Sequence, residues 1–342
     1  MMRLTHMRHS GLVGGLAVMA LLSACDVPSG YESGICGKLG GGMRPEIEKP
    51  AGTLRVVTAN MWGIPYWSRD VAARFEAMAR RLNEDTSIDV VGLEEMWDGS
   101  ARSHFLELVS EQYPYRADFH GTYGRSGLVL ISRRPFLGDP VFVPYEQTGK
   151  WWKPWTGEWW GGKGVGGVRI QADQSDPWVF VTHLHACYAG GATKCETTDE
   201  YESIRRSQVA TLRAAVNRLA GDEPAIVLGD FNFTSNSVYM KMLVDSGSDQ
   251  RFDPAWSLVP ELQAPRGRID HVWLRPGLNS RWRDLEPAAP HLVAPVVLAD
   301  GRNVGLSDHC PIVTVIAPEP GQDSPRLMPA SAPAVQPASP TS

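Results

Sequence analysis

The sequence predicts an α/β fold, and three observations predict it. Short apolar runs with the length of buried strands recur along the chain, as in Ala225-Ile226-Val227-Leu228. Two longer stretches between them repeat their apolar residues with the period of a helix. Several strands stop on a carboxylate, an amide or an imidazole, which puts polar chemistry where a sheet's loops emerge. A length of 342 residues accommodates one large domain of this class or two smaller ones.

A formal net charge of −5 offers no overall cationic face and argues against nucleic acid as a partner. Residues 1–24 read as an export signal. Arg3, His6, Arg8 and His9 give a weakly basic start, and Gly11–Leu22 is apolar but short for a bilayer span. Leu22-Ser23-Ala24-Cys25 resembles a bacterial lipobox, which implies cleavage before Cys25 and lipid attachment to it. An ordinary secretory signal is the alternative. The expected location is therefore that of an exported lipoprotein on the periplasmic face of an envelope membrane. Residues 25–52, with seven glycines between Val27 and Gly52, form a flexible tether. Residues 53–317 form the folded domain, and the Pro-, Ala- and Ser-rich stretch 318–342 is expected to be disordered.

Taken in order, Leu54–Ala59 is a strand that delivers Asn60. Ser68 is the expected cap of a helix whose apolar face is Val71, Phe75, Met78, Ala79 and Leu82. Asp89–Leu93 is a second strand and delivers Glu94 and Glu95. Successive strand residues face opposite sides, so one of the two is the better metal ligand. A short helix from about Ser100 to Gln112 leads to a strand over Ser126–Ser132. The segment Lys150–Gly167 holds five tryptophans within Trp151–Trp160 and shows neither helix nor strand period. Gly157 to Lys163 has P-loop spacing, but Gly164 stands where Ser or Thr is needed and no strand precedes, which rejects a nucleotide site. Aromatic residues beside Lys150, Lys153 and Lys163 suit a lipid-contact loop or packing over the core.

Val179–Thr182 is a strand running into His183 and His185, which share a face and could reach a cleft or bind metal. Cys187 and Cys195 have a spacing that permits a local disulfide, with Cys36 and Cys310 left over and Cys310 a candidate buried free thiol. Asp199 or a preceding Thr starts a helix over Ser203–Leu219, and Gly221 ends it. After Ala225–Leu228, Gly229 halts the run. Strand alternation then puts Asp230 and Asn232 on one side, suited to a cation and a phosphate oxygen; an Asx turn is the alternative. Gly267–Trp273 is a strand whose Asp270 needs a partner, for which a His is chemically useful. Ser307-Asp308-His309 opens a last strand, Cys310–Ile316.

This ordered set resembles the endonuclease/exonuclease/phosphatase superfamily over Leu54–Ala317. The resemblance implies a DNase I-like four-layer α/β sandwich, two packed mixed sheets flanked by helices. A closer likeness is to the Mg2+-dependent neutral sphingomyelinases. It is carried by Asn60-Met61-Trp62 with Ile64-Pro65, Leu93-Glu94-Glu95-Met96-Trp97-Asp98 and Arg125-Ser126-Gly127-Leu128. Gly157 to Gly166 and Thr182-His183-Leu184-His185-Ala186 complete it. Glu94 departs from the Gln or Asn more usual there, and Trp160-Gly161-Gly162 departs in detail.

That likeness implies hydrolysis of sphingomyelin, or a related phospholipid, to ceramide and phosphocholine by a monomer. It implies Glu95 as principal Mg2+ ligand (Mn2+ the alternative) with Asn60 beside it, and Asp308 as a further metal-shell or His-orienting carboxylate. Asp230 and Asn232 would contact phosphate and metal, His309 would be the base oriented by Asp270, and His183 would stabilise or protonate the departing oxygen. Lys163, His185, Trp159 and Trp160 would contact substrate, with the Trp-rich loop and Cys25 touching the membrane. A nuclease of the same superfamily and a non-catalytic lipid-binding lipoprotein are the rival readings.

Overall fold

The computed structural model describes residues 51–121, 124–149, 158, 161–187, 200–234, 237–244, 253–255, 269–278, 282–285, 292 and 294–319. The first half comprises β1 (Leu54–Asn60), α1 (Val71–Glu84), β2 (Val90–Glu94), α2 (Gly99–Leu108), β3 (Tyr115–Gly121) and β4 (Gly124–Ser132). Next come β5 (Val141–Pro144), β6 (Gly164–Arg169), β7 (Trp178–His183), α3 (Glu202–Ala220), β8 (Ala225–Asp230) and α4 (Val238–Val244). The chain closes with β9 (Asp253–Ala255), β10 (Asp270–Arg275), β11 (Trp282–Leu285), β12 (Val296–Val297), β13 (Asn303–Val304) and β14 (Ile312–Pro318).

Two six-stranded sheets result, ordered β11-β14-β1-β2-β4-β3 and β5-β6-β7-β8-β10-β9. Each contains one parallel pair, β1 with β2 and β7 with β8. The other neighbours are antiparallel. A parallel pair needs a crossover, and α1 and α3 supply the two.

The period of the strands decides which face each side chain covers. Val56, Val90, Leu128 and Leu130 of the first sheet pack against Val179, Val181, Ile226, Leu228 and Val272 of the second, forming the core between the sheets. The alternate residues Val57, Ala59, Val91, Leu93 and Val129 turn outward under Phe75, Met78 and Leu82 of α1 and Phe105 of α2. On the far side Phe180, Val227 and Trp273 lie under Val209, Leu212 and Val216 of α3 and Tyr239 of α4. Helices, sheet, sheet and helices give the four layers that the sequence implied.

Local details correct the sequence reading. The segment read as having no period runs into β6, whose glycines leave no side chains to show the alternation. The rings of Phe119 and Phe180 fill the space where side chains at Gly166 and Gly167 would stand. Ser68 does not cap α1; Asp70 holds the N-cap position without a side-chain bond, and Ser68 Oγ accepts from Ile64 N at 2.8 Å instead. Helix α2 stops at Leu108 rather than Gln112, and its cap is Asp98, which accepts from Ala101 N at 2.8 Å. Gly229 does not end its strand. Its φ is +155°, and a Cβ there would collide with the Thr182 carbonyl of β7, so closeness of the two strands demands glycine. Cys310 is not a free thiol, since Cys187 and Cys310 are both disulfide-bonded. Cys25, Cys36, Trp159, Trp160, Cys195 and Asp199 lie outside the described residues, as do the export signal, most of the tether and the tail beyond Glu319.

Candidate active site

Both parallel pairs run toward the same end of the sandwich, and their last residues meet there. In register, Asn60 at the end of β1 stands beside Glu94 of β2. His183 at the end of β7 stands beside Asp230 of β8, which in turn faces Asp270, the first residue of β10. The seam between the sheets is closed by one amide. Asn60 Nδ2 lies 3.0 Å from Asp230 Oδ2 and 3.0 Å from Glu95 Oε1.

Successive residues Glu94 and Glu95 do different work. Glu94 is wholly buried, and its Oε1 accepts from Thr58 Oγ1 at 2.7 Å. Glu95 steps out of the strand with a left-handed φ of 57°, which turns its carboxylate toward Asn60 and His183. Asn232 also takes a left-handed φ, 53°, so strand alternation stops at Asp230 and does not place the two residues on one side. Asn232 N donates to Asp230 Oδ1 at 2.8 Å, an Asx turn, while its Nδ2 pins Leu184 O at 3.0 Å. Its amide thus holds the ends of β7 and β8 together.

His183 Nε2 sits 3.6 Å from Asp230 Oδ2 and 3.9 Å from Glu95 Oε1, with Trp97 against its ring. His309 Nδ1 lies 2.8 Å from Asp270 Oδ2, and its Nε2 faces Asp230 Oδ2 at 3.9 Å. Glu95, His183 and Asp230 bring ligand atoms within 4.8 Å of one another, and Asp230, Asp270 and His309 form a second such group. Asp308 is in neither group; its Oδ1 accepts from Ser307 Oγ at 3.1 Å.

Burial, reinforced by Asp308, pushes the Glu95 carboxyl up to about 8. Burial, with Asp270 second, pushes Asp230 up to about 7. Burial alone would lower His309, but Asp270 and Asp230 outweigh it and hold the imidazole well above its ordinary value. His183 goes the other way: burial, then the Lys163 charge, keeps it neutral. Glu95 Oε2 and Asp270 Oδ1 are buried and find no hydrogen-bond partner among the described residues. Buried carboxylates with orphaned oxygens, together with an imidazole and an amide, fit a hard divalent cation.

Lys163 and His185, expected at the substrate, face inward. Lys163 is 2% exposed, with Nζ 2.7 Å from Glu158 Oε2 and 2.9 Å from Leu184 O. Glu158 Oε1 accepts from Ala186 N at 3.0 Å, and His185 stacks on Tyr201. The ammonium and its counter-charge therefore brace the segment just after His183.

The sequence reading also passed over Arg74. From inside α1 its guanidinium donates to Met61 O, Leu306 O, Trp62 O and Arg69 O at 2.7–2.8 Å. One side chain thus ties the loop after Asn60 to the segment leading into His309. An arginine on the α1 face toward Phe75 and Met78 was the available signal.

The chain matches the Endonuclease/Exonuclease/phosphatase family over residues 57–309. It belongs to that family. It is 32% identical over 241 residues to inositol phosphosphingolipids phospholipase C of Schizosaccharomyces pombe, covering 69% of this chain and 52% of that protein. It is 29% identical over 180 residues to sphingomyelin phosphodiesterase 2 of Homo sapiens, covering 52% of this chain and 41% of that one. The chain thus spans about half the length of these curated relatives. The crystal structure of sphingomyelinase C from Streptomyces griseocarneus shares the fold, with a TM-score of 0.55 and 21% identity over 78% of this chain and 99% of that one. The family resemblance and the four-layer fold read from the sequence are both borne out.

Proposed function

We propose that the protein is a divalent-metal-dependent phosphodiesterase that hydrolyses sphingomyelin, or a closely related phospholipid, to ceramide and phosphocholine. The observation that carries this reading is the convergence of Asn60, Glu95, His183, Asp230, Asp270 and His309 from both sheets into one buried cluster. The relatives named for sphingolipid cleavage support the choice of substrate.

Glu95 and Asp230 would hold the ion, Mg2+ by its preference for oxygen donors, with Asn60 fixing both carboxylates. A bound divalent ion would draw charge from the phosphoryl oxygens. A cation on Glu95 and Asp230 would offset the carboxylate charge that favours protonated His309, and with Nδ1 held by Asp270 the neutral ring's Nε2 would take a proton from water as the water oxygen bonds to phosphorus. The P–O bond to ceramide breaks, the departing oxygen takes a proton from a neighbouring water, and the proton gained by His309 returns to solvent. Neutral His183, with Nε2 toward the carboxylates, supplies a hydrogen bond to charge developing on the phosphoryl or leaving oxygen.

Tethering by a lipidated Cys25 would keep the enzyme beside its substrate. The disulfides at Cys187 and Cys310 support an exported, envelope location, since such bonds persist in oxidising compartments. The test is phosphocholine release from sphingomyelin vesicles with and without EDTA. Metal-dependent release is expected, and its absence would remove the substrate assignment.

A further inference from the structure

The loop between β1 and α1 presents two large rings to solvent. Tyr66 is fully exposed and Trp67 is 49% exposed. Among the described residues, the other exposed large apolar side chains, Leu137, Leu278 and Val297, are aliphatic and separated in sequence, and only here are two adjacent. Among the described residues neither ring makes a hydrogen bond or ring contact.

This turn is built to stay in place. Ile64 N donates to Ser68 Oγ at 2.8 Å, and Ser68 N and Trp67 N return to Ile64 O at 3.0 and 3.3 Å. Arg74 brackets it by donating to Trp62 O and Arg69 O. Its base is joined to the catalytic cluster, since Gly63 N donates to Glu95 O and Trp62 N to Asn60 Oδ1, both at 2.9 Å. Five described non-glycine residues have positive φ. Glu95 and Asn232 belong to the cluster, and Trp62, Tyr66 and Asp70 belong to this loop. Such backbone is costly and persists where function needs it. No packing gain inside the fold compensates at Tyr66.

We propose that Tyr66 and Trp67 form a lipid-docking prow that settles into the headgroup layer of a choline-phospholipid bilayer and brings the catalytic cluster to the membrane surface. Tyr and Trp favour that zone because their rings have an apolar body and a polar edge. A protein groove would also accept two rings. The bilayer is favoured because the same loop carries the cluster proposed to act on a phospholipid, so the inference rests on that reading and extends it.

The experiment uses the full chain. With EDTA present to stop turnover, vesicles of brominated phosphatidylcholine are added to wild type and to Trp67→Phe, and the difference isolates Trp67 emission whatever else binds the bilayer. Quenching of that emission is expected. In parallel, Tyr66→Ser/Trp67→Ser should lose at least about tenfold in sphingomyelin-vesicle turnover, because two interfacial anchors are gone. Its turnover of a monomeric short-chain sphingomyelin should stay within about twofold of wild type, since neither ring belongs to the catalytic cluster. The swap Tyr66→Trp/Trp67→Tyr should keep vesicle turnover. Unquenched Trp67 emission, or vesicle and monomer turnover falling together, would overturn the proposal. Quenching by vesicles without phosphocholine release from wild type would uphold docking and overturn the substrate reading alone.

Discussion

Asn60 and Asp230, 170 positions apart, share a hydrogen bond of 3.0 Å that joins the first sheet to the second. The same Asn60 amide reaches Glu95, so one neutral side chain sets the spacing of two carboxylates that would otherwise repel. Asn60→Ala should therefore weaken divalent-ion binding by about 10–100-fold, the usual effect of removing a ligand's supporting bond. Calorimetric titration with Mg2+ checks this, and an unchanged affinity would disconnect Asn60 from the ion.

The His309–Asp270 pair predicts a second outcome. His309→Ala should lower kcat by about 10²–10⁴-fold, the range for loss of a positioned base. Asp270→Asn keeps the shape but fails to fix the imidazole or stabilise its charge, and should fall in the same direction with KM little changed. Steady-state kinetics on the soluble substrate, with circular dichroism to confirm folding, measures both.

A third prediction concerns pH. Glu95 and Asp230 are raised from ordinary values of 4.5 and 3.8 to about 8 and 7, so the metal-free native state holds protons that the unfolded chain has released. Their contribution to stability is complete below the ordinary values and is lost as pH climbs through about 7 and 8. In EDTA, Tm should accordingly rise as pH is lowered from about 8.5 to about 6. Divalent ion should restore Tm most at the alkaline end, because binding must displace those protons. Scanning calorimetry over this range decides it; a metal-free Tm that falls toward pH 6 would contradict the sign.

The buried Lys163–Glu158 pair, 2.7 Å apart, gives a fourth. Lys163→Met strands a carboxylate in the interior and should cost about 3–5 kcal/mol. Adding Glu158→Gln should recover much of that loss, since the uncompensated charge is gone. Urea denaturation of the single and double variants measures the difference. Equal midpoints would show that the ion pair carries no such dependence.

The sequence made the central strands legible because each is short, apolar and ends on a polar residue, as Ala225–Leu228 does before Asp230. Asn60, Glu95 and Asp230 stood out for the same reason, though Glu95 was separated from Glu94 only by family resemblance; Asp270 stood out as a carboxylate among apolar strand residues, and His309 as the residue ahead of the last strand. What stayed hidden depends on contacts between distant segments. The glycines of β6 carry no alternation, and their fitness is visible only beside Phe119 and Phe180. Lys163 was expected at the substrate because its counter-charge at Glu158 lies in a stretch without periodicity. Arg74 drew no notice, since three of the carbonyls it binds lie in the loop between β1 and α1 and the fourth, Leu306, lies 232 positions away.

His309 stands three residues before β14, the strand that inserts between β11 and β1 at the end of the domain. Asn60, Glu95 and Asp230 come from the ends of strands that precede it, so the cluster is complete only when the segment leading into this last strand is in place. A chain cut short between β10 and His309 would keep the carboxylates of the cluster and lose the imidazole that faces them.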